Sequence, residues 1–286
     1  MNAMPDPSSH HAILLPACLA GVEGVSLASA RTFPRHSHDQ FGLGVVRAGG
    51  HASWSGCGPV EAGPGDLIAV TPDEMHDGAP IGEARTWEMI YIDPAMVARL
   101  AGAEAARREI GFGACHDPGL ALLADAALRA LACGEANEVE ETLTDLLTTV
   151  LAPRRAGDLI AWRSAPSLAT RRVKERIADL PDAPPSLDEV AALMGMGRTG
   201  ALRRFRRETG ATPHAYAMQL RLRLARQALA AGESAAGVAA AFGFADQAHL
   251  TRAFARQFGL PPGRWRAGAI GHNAKIVQDG ESSTGA

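Results

Sequence analysis

"ESAAGVAAAFGFADQAHLTRAFARQFG", residues 233–259, reads as two short helices separated by a glycine. Ser234 is suited to cap the first helix, an Ala-rich segment with Val238 and Phe242 turned inward. Gly243 then turns the chain. Asp246 caps a second helix that carries Gln247, Ala248, His249, Thr251, Arg252, Phe254, Ala255 and Phe258. A short helix, a glycine turn and a polar, cationic second helix make a helix-turn-helix pattern.

Upstream, "SLDEVAALMGMGRTGALRRFRRETG" (186–210) follows the same plan. Ser186 with Glu189 forms a capping-box signature. A helix over 187–193 is expected to turn Leu187, Val190, Ala191 and Met194 inward, and Gly195 ends it. The next helix, about 198–208, sets Thr199, Leu202 and Phe205 among Arg203, Arg204, Arg206 and Arg207. "TPHAYAMQLRLRLARQALAAG" joins the two units as a helix of roughly 18 residues, about 27 Å long. Successive major-groove faces of B-DNA recur every ~34 Å. One chain with this spacer is therefore suited to place two helices in consecutive grooves. Gln bonds adenine edges, Arg bonds guanine, and Thr or Ala touches a thymine methyl. Gly197 is a weaker cap than Ser by a few tenths of a kcal/mol. Gly200 costs its helix ~1 kcal/mol relative to Ala. The second unit is therefore expected to carry more of the base reading.

Charge supports this division. Residues 167–270 hold 16 Lys and Arg against 8 Asp and Glu, whereas the rest of the 286-residue chain holds 12 against 23. A basic half joined to an acidic half points to a polyanion partner for one of them. The four cysteines, Cys18, Cys57, Cys115 and Cys133, are scattered without a CxxC and suit free thiols in a reducing cytoplasm. No apolar run reaches the length of a membrane span. There is no Gly-rich phosphate loop, and no Ser-His-Asp set is legible. No cofactor and no catalysis are expected.

The first half reads differently. Over 30–93, "FGLGVV", "HASWSG", "DLIAV" and "TWEMIYI" are short strands, with "RAGG" as a turn between the first two. They fit an antiparallel sandwich or barrel. From residue 94 the pattern turns helical. In "NEVEETLTDLLTTVL", Val139, Leu143, Leu146, Leu147 and Val150 form an apolar stripe. In "FPRHSHDQFGLGVV" (33–46), His36 and His38 stand one residue apart on an expected strand, so both imidazoles should face one space.

The stretches "GFADQAHLTRAFARQFGLPPGRWR" (243–266) and "RRFRRETGATPHAYAMQLRLRLARQAL" (203–229) resemble the DNA-binding domain of AraC/XylS-type transcription regulators. The resemblance implies promoter DNA as partner. By it, Thr199, Leu202 and Arg203 are the base-facing residues of the first unit, and Gln247, Ala248, His249, Thr251 and Arg252 those of the second. Leu193, Phe205, Leu222, Ala225, Phe254 and Phe258 are left to packing. "FPRHSHDQFGLGVV" and "PGDLIAVTPDEMHDG" resemble the cupin-like sensor domain that precedes such DNA-binding domains. Cupin metalloenzymes take two His and a Glu from the first motif and one His from the second. Here His36, His38 and His76 match the histidines, but Gln40 is the nearest polar residue to the missing Glu. A neutral amide is a poor ligand for a hard dication. Three His with an open position are still able to bind zinc, which keeps His36, His38 and His76 as secondary metal candidates, but the expectation is an organic effector without metal, held by His36, His38, Gln40, Trp54, Glu74 and His76, with Asp77 and Trp87 as further pocket residues. A metal-dependent cupin enzyme fused to a DNA-binding module is the alternative.

The expected fold is a two-domain α+β chain: a cupin-like antiparallel β-barrel with following helices, then an all-α domain of two helix-turn-helix units. Its boundaries are a disordered leader (1–11), an effector domain (12–95) and a helical dimerisation region (96–152). A linker (153–166), the DNA-binding domain (167–270) and a disordered tail (271–286) follow. A homodimer is implied by the resemblance, although the 139–150 stripe is equally able to pack on its own barrel. RNA polymerase is a further candidate partner.

Overall fold

The computed structural model describes residues 10–55, 58–152, 167–270 and 277–278. The expected linker, and nearly all of the expected leader and tail, lie outside the described residues. Strand β1 (His10–Leu14) begins inside the segment expected as leader, and β9 (Val277–Gln278) pairs with it from within the expected tail.

The remaining strands are β2 (Val22–Ser29), β3 (Phe33–His36), β4 (Phe41–Ser55), β5 (Gly58–Ala62), β6 (Leu67–Val70), β7 (His76–Ile92) and β8 (Ala114–Cys115). The main pairing path runs β8-β6-β4-β7-β2-β1-β9, with β3 added to β7 and β5 to β4. Neighbours are antiparallel, as expected. "RAGG" is not a turn. It lies inside the 15-residue β4, where the register against β7 shifts twice between Val46 and Gly50. Bulges of this kind bend a strand without ending it. Gly49, at φ 72°, allows this, because a Cβ there would lie 2.2 Å from the Ala84 carbonyl oxygen.

Period-2 alternation then sorts the two faces of the sheet. Phe41, Leu43, Val45, Ile90 and Ile92 point to one side and pack against α1 (Pro94–Ala101), α2 (Pro118–Cys133) and α3 (Ala136–Val150). The stripe Val139, Leu143, Leu146, Leu147 and Val150 is buried in this core of its own chain. It is therefore not a free dimer face, because burying five such side chains against the sheet already contributes roughly 1.5–3 kcal/mol each. Met89, Trp87 and Arg85 point to the other side, with Tyr91. Gly42 and Gly44 make room for this layer: a Cβ on Gly44 would lie 2.3 Å from Met89 Sδ.

The C-terminal domain comprises α4 (Leu168–Asp179), α5 (Leu187–Met194), α6 (Arg198–Thr209), α7 (Pro213–Ala230), α8 (Ala235–Ala241), α9 (Gln247–Phe258) and α10 (Pro262–Ile270). The caps form as their residues dictate. Ser186, Ser234 and Asp246 accept from the backbone N–H of Glu189, Gly237 and His249, while Gly197 offers no side-chain cap. The capping box is only half made, because the Glu189 carboxylate accepts from Arg176 Nε at 2.7 Å. Leu187, expected inward, is 40% exposed. The first unit has a core of its own around Phe205, Val190, Ile177 and Leu220. The core of the second unit, with Phe254, Leu250, Leu222 and Trp265, is continuous with the second face of the sheet through Val25, Leu27, Trp87 and Met89.

Candidate functional site: two recognition helices and a cavity between the domains

The helices expected to read DNA form as expected, α6 over 12 residues and α9 over 12, joined by the 18-residue α7. Thr199, Arg203, Gln247, Ala248 and Arg252 are exposed, and Leu202, His249 and Thr251 are half-buried. His249 is held in place, its Nδ1 accepting from the Ala245 N–H at 3.3 Å. The Thr251 hydroxyl donates to the Gln247 carbonyl at 2.8 Å. The Arg203 and Arg252 side chains stand out from the helices.

The pocket residues converge on one cavity, lined by His36, His38, Gln40, His76, Asp77 and Trp87. The structure adds His51, Ser53, Ser55, Arg85, Met89 and Tyr91, together with Glu23, Val25 and Leu27 of β2. Its empty volume, including the opening to solvent, is ≈ 1110 Å³. Two candidates lie elsewhere. Trp54 is not among the lining residues: it stacks under the Arg35 guanidinium at 3.8 Å and touches the C-terminal end of α6 at Gly210. Glu74 closes a local turn, accepting from the Thr71 N–H at 2.9 Å. Trp54 follows Ser53 along β4, so alternation sends it to the opposite face.

Strand β3 stops at His36, so His38 does not share the strand expected to carry both histidines. The two rings nevertheless sit 6.4 Å apart, and His76 lies 4.2 Å from His36 and 5.0 Å from His38. Each Nδ1–H donates to a backbone carbonyl two residues away: His36 to Pro34 (2.8 Å), His38 to Gln40 (2.8 Å) and His76 to Glu74 (3.0 Å). Burial holds all three below the usual histidine range, His38 at about 3. They are neutral at pH 7, each with its lone pair on Nε2. A cupin metal would need these atoms plus a carboxylate. Among the described residues no group of three or more His, Cys, Asp or Glu side chains is arranged to hold a metal ion. Gln40 extends its amide toward Glu23 at 3.4 Å.

The far wall of the cavity comes from the C-terminal domain: Arg226 of α7, Gln257 and Phe258 of α9, then Leu260 and Trp265. Phe258, expected as plain packing, is one of these wall residues. Arg226 bonds Glu23 at 2.7 Å and Asp39 at 3.1 Å, and Trp265 Nε1–H donates to Glu23 at 3.3 Å. Gln219, Arg223, Arg226 and Gln227 share one face of α7 at helical spacing, and each meets the sheet domain, at Arg35, Asp73, Glu23 with Asp39, and Asp39 respectively. On α9, Gln257 donates to the Ser37 carbonyl at 3.1 Å. Part of the basic half's charge is thus matched by the acidic half of its own chain, a use that charge counting did not anticipate.

Two family models match the chain. Residues 21–150 match the AraC-like ligand binding domain, and residues 190–268 match a helix-turn-helix domain. Among curated proteins, the regulator MtrA of Neisseria gonorrhoeae is 31% identical over 93 residues, covering 32% of this chain and 31% of MtrA. The transcriptional activator NphR of a Rhodococcus species is 34% identical over 132 residues, covering 46% of this chain and 38% of NphR. Both matches thus span well under half of those proteins. A crystal structure of ToxT from Vibrio cholerae superposes with a TM-score of 0.51 over 88% of this chain and 100% of that one, at 8% identity, a likeness of fold. A further ToxT structure, with a TM-score of 0.50 at 9% identity over 93% of this chain and 97% of its own, holds an unsaturated fatty acid. By their names, MtrA and NphR are transcription regulators. The chain thus carries a part that matches an AraC-like ligand binding domain followed by one that matches a helix-turn-helix domain, the arrangement of AraC-type DNA-binding transcription regulators.

Proposed function

We propose that this chain binds promoter DNA through α6 and α9 and that a small-molecule effector in the interdomain cavity controls how those helices are held. One observation carries the reading: a single cavity is walled by His36, His38, His76 and Trp87 from the sheet and by Arg226, Gln257, Phe258 and Trp265 from the DNA-binding half. A ligand there touches both domains at once. It shifts DNA affinity by no more than its own preference for one arrangement over another. Thr199, Leu202 and Arg203 on α6 and Gln247, Ala248, His249, Thr251 and Arg252 on α9 are the base-reading residues of this proposal.

The regulator works in the cytoplasm, as a homodimer, with RNA polymerase as the further partner at the promoter. The outer face of α2, where Leu122 is 66% exposed, is the surface left for a second copy. Among the described residues no helix is long and apolar enough to cross a membrane.

The test is fluorescence anisotropy with the full chain on DNA from upstream of its own gene and on shuffled DNA, at moderate salt. A regulator is expected to prefer the specific site by ~10³-fold or more, and an effector to change that affinity. Equal affinity for both DNAs sinks the proposal.

A further inference from the structure

Arg85 is the largest fully buried side chain among the described residues, with no exposed surface. None of its three guanidinium nitrogens has a hydrogen-bond partner among the described residues. It stands on β7 two residues before Trp87, on the cavity face, beside two aromatic rings. Its guanidinium carbon lies 4.5 Å from the Trp87 ring and 6.0 Å from the Phe33 ring. An uncompensated buried cation is costly, and two cation–π contacts offset only part of that cost. Burial lowers its pKa to about 10, so it stays charged at neutral pH.

The other charges lining the cavity are already matched. Glu23 is bonded by Arg226 and by the Trp265 indole N–H. Asp77 accepts from Arg35 at 3.2 Å and from the Trp54 backbone N–H at 2.6 Å. Arg85 is left as the lining charge with no ionic partner among the described residues. Gly78 makes room for the guanidinium itself: a Cβ there would lie 3.1 Å from Arg85 Nη2 and 3.3 Å from the His51 ring. The neighbouring His51 Nδ1 is also buried without a partner.

We propose that the effector is a monocarboxylate with an apolar body, its carboxylate held by Arg85 deep in the sheet domain. The inference rests on the reading of the cavity as the effector site and adds the chemical class. A planar guanidinium matches a carboxylate in a two-bond fork. A single free cation, with Glu23 and Asp77 in the same cavity, selects one negative charge over two. Leu27, Phe33, Trp87, Met89 and Trp265 supply an apolar lining for the body.

The experiment is thermal shift and titration calorimetry on the full chain. The probes are straight-chain acids from butanoate to decanoate, phenylacetate, the matching neutral amides, and inorganic phosphate. At least one acid is expected to raise the melting temperature while its amide and phosphate do not. Arg85→Met is expected to weaken that acid on the order of 100-fold, and Arg85→Lys to keep part of the affinity. The melting temperature of unliganded Arg85→Met is expected to rise, since the substitution removes an unpaired buried charge. No response to any acid, an amide or phosphate binding as well as the acid, or acid binding unchanged in Arg85→Met would each overturn the proposal. So would a failure of Arg85→Met to fold, because an uncompensated charge is not needed for folding. A neutral probe that alone binds and changes DNA affinity removes the carboxylate class and leaves the regulator standing. Loss of DNA preference does the reverse.

Discussion

Arg226 on α7 sets one guanidinium nitrogen 2.7 Å from the carboxylate of Glu23 on β2, and its side chain is only 7% exposed. This pair lies at the seam between the sheet and the long helix that joins the two recognition units. The helix expected to act as a spacer on DNA therefore also contacts the sensor domain. Information from the cavity has a short route to α6 and α9, through α7 itself.

Arg226→Ala leaves Glu23 and Asp39 without their cation at a mostly buried site. It is expected to cost about 3 kcal/mol, read as a lower urea midpoint. It should also make DNA affinity less sensitive to effector. A variant with unchanged stability and a full effector response would show that the pair is incidental to coupling.

Gly210 closes α6 at φ 82°, and a Cβ there would meet Met75 Cβ at 2.9 Å and Trp54 Cζ3 at 3.2 Å. Gly195 closes α5 at φ 63° with open space around it. Gly195→Ala carries only the backbone penalty, about 1 kcal/mol. Gly210→Ala adds a clash at the domain seam and is expected to cost about 2 kcal/mol or more. Chemical denaturation of both variants checks the ordering; equal losses mean the seam yields freely.

Arg252 is exposed on a capped α9, whereas Arg203 stands on α6, whose Gly197 cap makes no side-chain bond. Arg252→Ala is expected to relax preference at one base position and to cost ~1–3 kcal/mol on the correct site. Arg203→Ala should have the smaller effect on specificity. Competition binding against a set of single-base operator variants measures both. Uniform weakening by Arg252→Ala would make that residue a phosphate contact.

Burial holds His38 at about 3 and His51 at about 4, aided at His51 by the Arg85 charge, against an ordinary value of 6.5. Both stay neutral in the folded chain at pH 5, while the unfolded chain protonates them. The unfolded state then binds more protons, so stability falls as pH drops from 6.5 toward 4. The loss is about 1.4 kcal/mol per pH unit for each histidine. Urea unfolding at pH 7 and pH 5.5 should show it, and His51→Gln should remove one share. An unchanged slope in His51→Gln would mean that this imidazole is protonated in the fold.

Much of the C-terminal domain was legible along the chain because its determinants are local. Ser186, Ser234 and Asp246 cap helices within three residues, and Gly195, Gly243 and Gly259 turn the chain at positive φ. The antiparallel character of the first half was legible too; the convergence of His36, His38 and His76 followed from the motif resemblance and not from alternation, because β3 ends at His36. The bent β4 was not, since a glycine pair reads equally as a turn or a bulge until a partner strand fixes the register.

What the sequence alone determined is therefore the set of helices, their caps, the antiparallel strands and the histidines of the pocket. Tertiary structure decided which face each strand turns to the cavity, and so excluded Trp54 and brought in Arg85 and His51. It also decided that α7, α9 and α10 close that cavity, because Glu23 and Arg226 meet across 203 residues of chain. Short-range propensity does not encode such a pairing; it follows from burying the second face of the sheet against α7, α9 and Trp265 of the C-terminal domain.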